Sequence, residues 1–369
     1  MSKINTQNIF QYFNNPKGTV ALGIDGFVDE VWQIVAVRTS PTEYQLHEKM
    51  QDFAKSLSAV GAGGYANEII RKRRSHGGFT AHTGEAVDNL GLKSTLVGMF
   101  DKDGGGGVDS VYKVFSNNCK VYSVGTTAVC PSYEFSDGKM MFPYVAGIAS
   151  VNYDTITNAL SKEEMDAAFS HATVVGIGYW SLLDNFNNIL TKLCENNIKE
   201  GTRLFFDFAD IRKRDKQALI DTLKLLSGLN AKNPVTLSLN EHEAGILFSY
   251  MGKEFDWKKP EIADKDIEHV RQQSGIDEIV VHTPYFAVAA TAKEGTAVVL
   301  QRYCTNPVQT TGAGDNFNGG YMSASSEAGA LNLHERLLVG NAVSGCYLRS
   351  GISPDAAKLK AEIEQFEKF

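Results

Sequence analysis

A chain of 369 residues with 43% hydrophobic content is long enough to bury the core of one large α/β domain or two ordinary ones. Its 43 Asp and Glu outnumber 36 Lys and Arg, a formal charge of −7 that argues against a polyanion such as nucleic acid and favours small-molecule ligands. Five cysteines, Cys119, Cys130, Cys194, Cys304 and Cys346, form no CxxC pair, point to neither a disulfide framework nor a zinc site, and fit a reducing compartment.

The opening stretch "MSKINTQNIFQYFNN" lacks the long apolar run of a signal peptide. No later run reaches the roughly 18 apolar residues of a membrane span, so a cytoplasmic protein without a membrane partner is expected. Short apolar runs then alternate with amphipathic stretches. "TVALGI", "KSTLVGMF", "ATVVGIGYW", "TRLFFDFA", "PVTLSL" and "DEIVVH" are short and rich in β-branched residues, as buried strands are. "SKEEMDAAFSHA" and "DNFNNILTKLCENNIKEG" carry apolar residues at helical spacing. The alternation predicts a parallel sheet covered on both faces. The rhythm breaks between Cys119 and Val151, where strand-like residues flank Asp137-Gly138, a dipeptide suited to the left-handed angles of a tight hairpin turn. With the strand-like "EVWQIVAVRTSPTEYQL", this predicts a small flap whose strands are inserted at about residues 29–48 and 119–150 of a single domain spanning 1–369.

The richest stretch for chemistry is "PVQTTGAGDNFNGGYMSASSEAG", from Pro307 to Gly329. Phe317, Tyr321, Ala324 and Ala328 fall at helical spacing, so Asp315 sits in the first turn of a helix preceded by a loop of small residues. Free N–H groups point out of such a turn, where an anion is welcome, and small residues let a ligand approach the backbone. A tight turn in which Asp315 only serves the helix dipole, worth about 0.3–1 kcal/mol, accounts for the same residues.

Other polar stretches have plainer readings. Arg71, Lys72, Arg73 and Arg74 form a basic run that reads as a solvated face in an acidic protein. Asp101 and Asp103 hint at a calcium loop, but Tyr112 stands where an EF-hand needs its closing glutamate. His82, Glu85 and Asp88 share a helical face without a fourth metal ligand. Asp207, Asp210 and Arg212 follow a predicted strand, where α/β proteins bind ligands or where a salt-bridged loop forms.

"TTGAGDNFNGG" resembles the C-terminal signature of the ribokinase-like (PfkB) carbohydrate kinases. "ALGIDGFVDEV" resembles that family's first strand with its substrate-contacting Asp, and "HGGFTAHTGEAVDNLGLKSTLVGMFDKDGGG" its Gly-Gly motif with the following helix and strand. "LSLNEHEAG" resembles the Asn-x-x-Glu motif, and "VGNAVSGCYLRSGISP" the closing helix near the adenine. The resemblance runs from about Val20 to the end. It implies a three-layer α/β/α core with a mostly parallel central sheet and a small β lid, and transfer of the γ-phosphoryl of ATP to a hydroxyl of a sugar or sugar-like molecule. Asp315 would be the general base, with the N–H groups of Gly312, Ala313, Gly314 and Asp315 as the anion hole. Asn240 and Glu243 would hold magnesium through water, although they also match a capping box. Thr283, Thr311, Asn341 and Gly345 would lie around the nucleotide. Asp29, or its competitor Asp25, would meet the sugar together with Gly77, Gly78 and His82. A homodimer through the lid is also implied.

The sequence departs from the family at several positions. Phe79 and His82 stand where Asn or Lys are common. Gln309 replaces the Asp near the monovalent-cation site of relatives, which leaves the cation requirement open. Thr283 is followed by Pro284, Tyr285 and Phe286 in place of a glycine-bearing loop over the nucleotide. Two other readings stand beside the sugar kinase: a ribokinase-fold binding or regulatory protein without turnover, and a nucleoside kinase with Phe79 as a stacking aromatic.

Overall fold

The computed structural model describes residues 4–61, 63–102 and 105–368. Asp103 of the calcium-like stretch lies outside them. In chain order the strands are β1 (Thr19–Ile24), β2 (Phe27–Arg38), β3 (Tyr44–Leu46), β4 (Ile69–Gly77), β5 (Lys93–Gly98), β6 (Cys119–Ser123), β7 (Ala128–Phe135), β8 (Gly138–Met141), β9 (Val174–Ile177), β10 (Arg203–Asp207), β11 (Val235–Asn240), β12 (Glu278–His282), β13 (Phe286–Thr291) and β14 (Gly295–Leu300).

The six apolar runs become β1, β5, β9, β10, β11 and β12, the middle of a nine-stranded sheet ordered β14-β13-β12-β11-β10-β9-β1-β5-β6. They are apolar at nearly every position because both faces are covered. Along β1, Val20 and Leu22 pack into one core while Ala21 and Ile24 pack into the other. The pairings from β6 across to β12 are parallel. β13 and β14 close that edge as an antiparallel pair.

Two helical layers supply the cover. One contains Phe79–Asn89, Ala313–Ser325 and Leu333–Ser350, and its core includes Phe79, Phe317, Tyr321 and Leu337. The other contains Phe186–Asn196, Lys216–Leu229 and Pro260–Ser274, and buries Phe186, Leu190, Leu226 and Ile267. Each fully buried Leu or Phe stabilises the fold by roughly 1.5–3 kcal/mol. Among the described residues, no helix is long and apolar enough to cross a membrane.

A second, five-stranded sheet forms the lid. β2 is its spine, pairing antiparallel with β4, parallel with β7 and, at its far end, antiparallel with β3; β8 completes it as a hairpin with β7. These strands differ from the expected insertions at about 29–48 and 119–150. Cys119–Ser123 belongs to the central sheet as β6, and the lid gains Ile69–Gly77 as β4. The basic run therefore lies on a strand. Its charges are tied down rather than merely solvated: Arg74 forks onto Asp109 at 2.7 and 2.6 Å, and both Arg74 and Arg71 reach Glu30, at 3.3 and 3.6 Å.

Along the central sheet the chain runs from β1 outward through β5 and β6, then returns to β9 and proceeds outward on the other side. The order reverses at the β1/β9 junction. Crevices at the carboxyl ends of strands beside such a reversal are where open α/β sheets bind ligands.

Candidate active site

The carboxyl ends of five strands deliver the polar groups. Asp25 follows β1, Tyr179 follows β9, Asp207 ends β10, Asn240 ends β11 and His282 ends β12. A cleft of about 560 Å³ is lined by Tyr179, Asp207, Asn240, His282, Thr310 and Asp315, among others. A larger crevice, about 850 Å³, runs past Pro16 and Gly91 and contains none of these carboxylates.

Gly312 caps the helix Ala313–Ser325 with φ of 91°, a left-handed angle that side chains resist. A Cβ there would stand 2.9 Å from Tyr347 Oη and 3.3 Å from His82 Cδ2. The turn places Asp315 in the first helical turn, whose N–H donors have no partner within the helix. One expected donor differs. The Ala313 N–H donates to the Thr310 carbonyl at 3.2 Å, closing the turn.

Gly78, φ 87°, caps the helix Phe79–Asn89 and keeps its backbone open to Asp25. A Cβ there would fall 2.0 Å from Asp25 Oδ2, and one on Gly77 would fall 2.6 Å from Asp29 Oδ2. Asp25 Oδ1 accepts the Thr80 N–H at 2.9 Å and the Thr80 hydroxyl. Its Oδ2 is buried without a hydrogen-bond partner. Burial raises both carboxyls to about 6; Thr80 opposes the rise at Asp25, and Lys139 and Arg73 oppose it at Asp29. Both aspartates that compete in the sequence thus stand against the Gly77-Gly78 turn.

Asp315 is raised well above the ordinary range, by burial first and then by the charges of Asp207, Asp25 and Asp29. Asp207, a hint at most in the sequence, is held by Asn318 Nδ2 at 2.7 Å and Ala209 N–H at 2.8 Å. Burial raises its proton affinity too. Its neighbours Asp210 and Arg212 pair with each other at 2.7 Å in a salt-bridged loop. Tyr179 and Ala209, both with φ of 58°, flank the cleft in a conformation that costs non-glycine residues of order 1–3 kcal/mol. Composition gave no sign of either. Their backbone angles are set by tertiary packing.

Other expected residues divide. Asn240 accepts the N–H groups of His242 and Glu243 at 3.0 Å each, and Glu243 Oε2 accepts the Asn240 N–H at 3.0 Å: the capping box is formed. Glu243 Oε1 remains buried and unpaired. Burial and then Asp207 raise the Glu243 carboxyl strongly. Thr283 lines the cleft, and its hydroxyl closes the turn before β13 through the Tyr285 and Phe286 N–H groups, at 3.1 and 3.0 Å. Asn341 and Gly345 are not among the cleft residues. Asn341 Nδ2 donates to Val299 O at 3.1 Å, and Gly345 faces Arg349, so Ser344 and Leu348 of the same helix reach the cleft instead. Helical periodicity, not motif position, decides which residues face the ligand.

Two lid residues reach the loop before Gly312: Arg73, part of the basic run, and Lys139, which no motif marked. Lys139 of β8 reaches the Thr311 hydroxyl, and Arg73 of β4 donates to Gln309 Oε1 at 2.9 Å. Gln309 in turn donates to the Tyr347 hydroxyl, and both Tyr347 Oη (2.8 Å) and Gln309 Nε2 (3.4 Å) donate to the Thr311 carbonyl. His82 is 5% exposed, both its ring nitrogens are buried without partners, and it is not among the residues lining the cleft.

The fold and this cleft define the ribokinase-like (PfkB) class of sugar kinases. Phosphofructokinase-2 from Escherichia coli in complex with substrates and products superposes with a TM-score of 0.64 at 14% identity over 95% of this chain and 99% of that one. Ribokinase from Arabidopsis thaliana complexed with ribose and ATP gives 0.63 at 16% identity over 94% and 99%. The family model for prokaryotic ketohexokinase matches residues 8–366, and the chain belongs to that family. A ketohexokinase from Haloferax volcanii is 26% identical over 350 residues, covering 93% of this chain and 90% of that protein. By class, the chain is a phosphotransferase with an alcohol group as acceptor.

Proposed function

We propose that the protein transfers the γ-phosphoryl group of ATP to a primary hydroxyl of a ketohexose, with Asp315 as general base. The observation that supports this most directly is the position of Asp315 in the first turn behind Gly312, within electrostatic reach of Asp25 and Asp29. The raised proton affinity of Asp315 suits a group that accepts a hydroxyl proton as attack proceeds. Asp29 and the unpaired Oδ2 of Asp25 hold the sugar hydroxyls, and Gly77 and Gly78, lacking side chains, let those two carboxylates close against the turn. The N–H groups of Gly312, Gly314 and Asp315 receive the transferring phosphoryl. Each well-aimed donor of this kind lowers the barrier by about 2.7–4 kcal/mol. The ketohexose assignment rests on the family and on the name of the Haloferax relative.

The hard oxygen donors of Asp207, Glu243 and Asn240 fit magnesium held through water. The ion, when bound, neutralises charge on the β and γ phosphates. Asp207, at the end of β10, lines the cleft, and Glu243, with its unpaired Oε1, stands in the first turn of the helix that Asn240 caps. The lid excludes water from the acceptor.

The test is ADP release from magnesium-ATP over ketohexoses, aldohexoses, pentoses and nucleosides, with Asp315→Asn in parallel. A ketohexose should give the largest rate, and the variant should lose about a hundredfold to ten-thousandfold in kcat. Nucleotide binding without ADP release for any acceptor would overturn the reading.

A further inference from the structure

The sequence brings a second set of donor groups together beside the cleft. His76 ends β4, the Gly77-Gly78 turn folds the chain back, and His82 and Glu85 then stand one helical turn apart on the helix Phe79–Asn89. One donor atom from each of the three lies within 4.8 Å of the others. His76 Nε2 is 3.7 Å from Glu85 Oε2, and the two imidazole centroids are 5.3 Å apart. Asp88, the third residue of the sequence pattern, is engaged elsewhere, accepting the Ser116 N–H at 2.7 Å.

The imidazoles are 7% and 5% exposed. His76 Nδ1 and both ring nitrogens of His82 have no hydrogen-bond partner among the described residues. Buried polar atoms are ordinarily paired, and a neutral imidazole carries one N–H and one lone pair, so His82 holds an unused lone pair beside a carboxylate.

We propose that His76, His82 and Glu85 bind a divalent transition-metal ion of the zinc class, separate from the magnesium that accompanies the nucleotide. Two imidazoles and one carboxylate are a donor set for zinc, cobalt or iron, whereas magnesium prefers oxygen ligands and retains its water. Metal–ligand bonds of about 2.0–2.2 Å set donors roughly 3–4 Å apart, so side-chain rotation of about 1 Å closes the site. Glu85, with 28% of its side chain exposed, is the open side, through which the ion enters and water completes the coordination. Phe115 packs against His76 at 5.6 Å, and Ser353 Oγ lies 3.5 Å from Glu85 Oε2 as the surrounding support.

The site touches the Gly312 turn by two routes. His82 lies directly beneath Gly312. Ser353 Oγ also meets Asn316 Oδ1 at 2.8 Å, and Asn316 Nδ2 donates to the Gly312 carbonyl at 3.0 Å. A bound ion therefore braces the turn from below.

The experiment titrates chelator-stripped, nucleotide-free protein with Co²⁺, followed by visible absorption, and with Zn²⁺ by calorimetry. One equivalent per chain with visible ligand-field bands is expected, and millimolar Mg²⁺ should not compete. Glu85→Gln and His76→Gln should each weaken Zn²⁺ binding at least about tenfold, because loss of even an outer support has that effect. Absence of saturable binding, or equal affinity in both folded variants, would overturn the proposal. Circular dichroism checks folding, and the partly exposed Glu85 keeps the test readable where the His76 variant is unstable.

Discussion

Asp25 and Asp29, on either side of the β1–β2 junction, both titrate near 6 because burial disfavours their charged forms. A sugar hydroxyl donates to an ionised carboxylate, so KM for the sugar should rise as pH falls through 6. With two groups titrating together, the limiting slope of log KM against pH should approach two protons, and Asp29→Asn should reduce it to one. That variant should also raise KM by roughly ten- to a hundredfold at pH 8, the value of a hydrogen bond to a charge of about 1.5–3 kcal/mol. A pH profile unchanged in the variant would remove Asp29 from sugar binding. At the same scale, Gln309 and Tyr347 already donate to the Thr311 carbonyl. Gln309, an uncharged amide held in that network, stands where relatives carry an Asp near a monovalent cation, so exchanging potassium for tetramethylammonium should leave kcat unchanged within about twofold; a larger drop in kcat would count against that expectation.

Among the elements, one buried network ties the central sheet to the helices that carry the site. Glu278 at the start of β12 meets Arg336 at 3.3 Å, Arg203 at 3.5 Å, and the hydroxyls of Thr236 and Tyr321 at 3.0 Å each. Burial pushes its carboxyl up, but Arg203, Arg336 and the two hydroxyls outweigh that and hold it below the ordinary 4.5. A lowered folded pKa means stability that is complete above 4.5 and is lost as pH falls through the folded value. Glu278→Gln removes the carboxylate that Arg203 and Arg336 share, leaving Arg336 with Glu294 alone, and should destabilise by about 3 kcal/mol at pH 7 in denaturant melts. The gap from the parent protein should narrow below pH 4. The six strands at the sheet centre were legible because burial on both faces makes them uniformly apolar. β4 was not, because "IIRKRRSH" exposes most of its length and its charges find partners only in the folded lid. β13 also escaped notice, since "HTPYFAVAA" was read as a departure from a nucleotide loop. Gly312 and Asp315 were legible through local turn chemistry, Gly78 through the resemblance, and Asp207 as a charge at a strand end. Tyr179 and Lys139 depend on which distant segments meet, and no local pattern carries that.

For the whole molecule, the lid is the distinctive part. It exposes Val37, Tyr44, Ile69, Met141, Phe142 and Tyr144, several more than half exposed, a density of apolar surface that marks an interaction face. A second copy is the expected cover, giving a dimer by light scattering, and Phe142→Glu with Tyr144→Glu should shift it to monomer. A parent protein that is monomeric at micromolar concentration would rule this out. The same lid touches the opposite wall through Lys139, which rests on the hydroxyl of Thr311. On the proposed function, this contact joins the segment over the acceptor to Thr311 just before the Gly312 turn, and release of the phosphorylated sugar is expected to wait on its breaking. Turnover then keeps the time of a mechanical escape: kcat should fall with added sucrose viscosity, and Lys139→Ala should blunt that dependence, leaving an enzyme that lets go of its cargo sooner and commits less firmly to each molecule it captures.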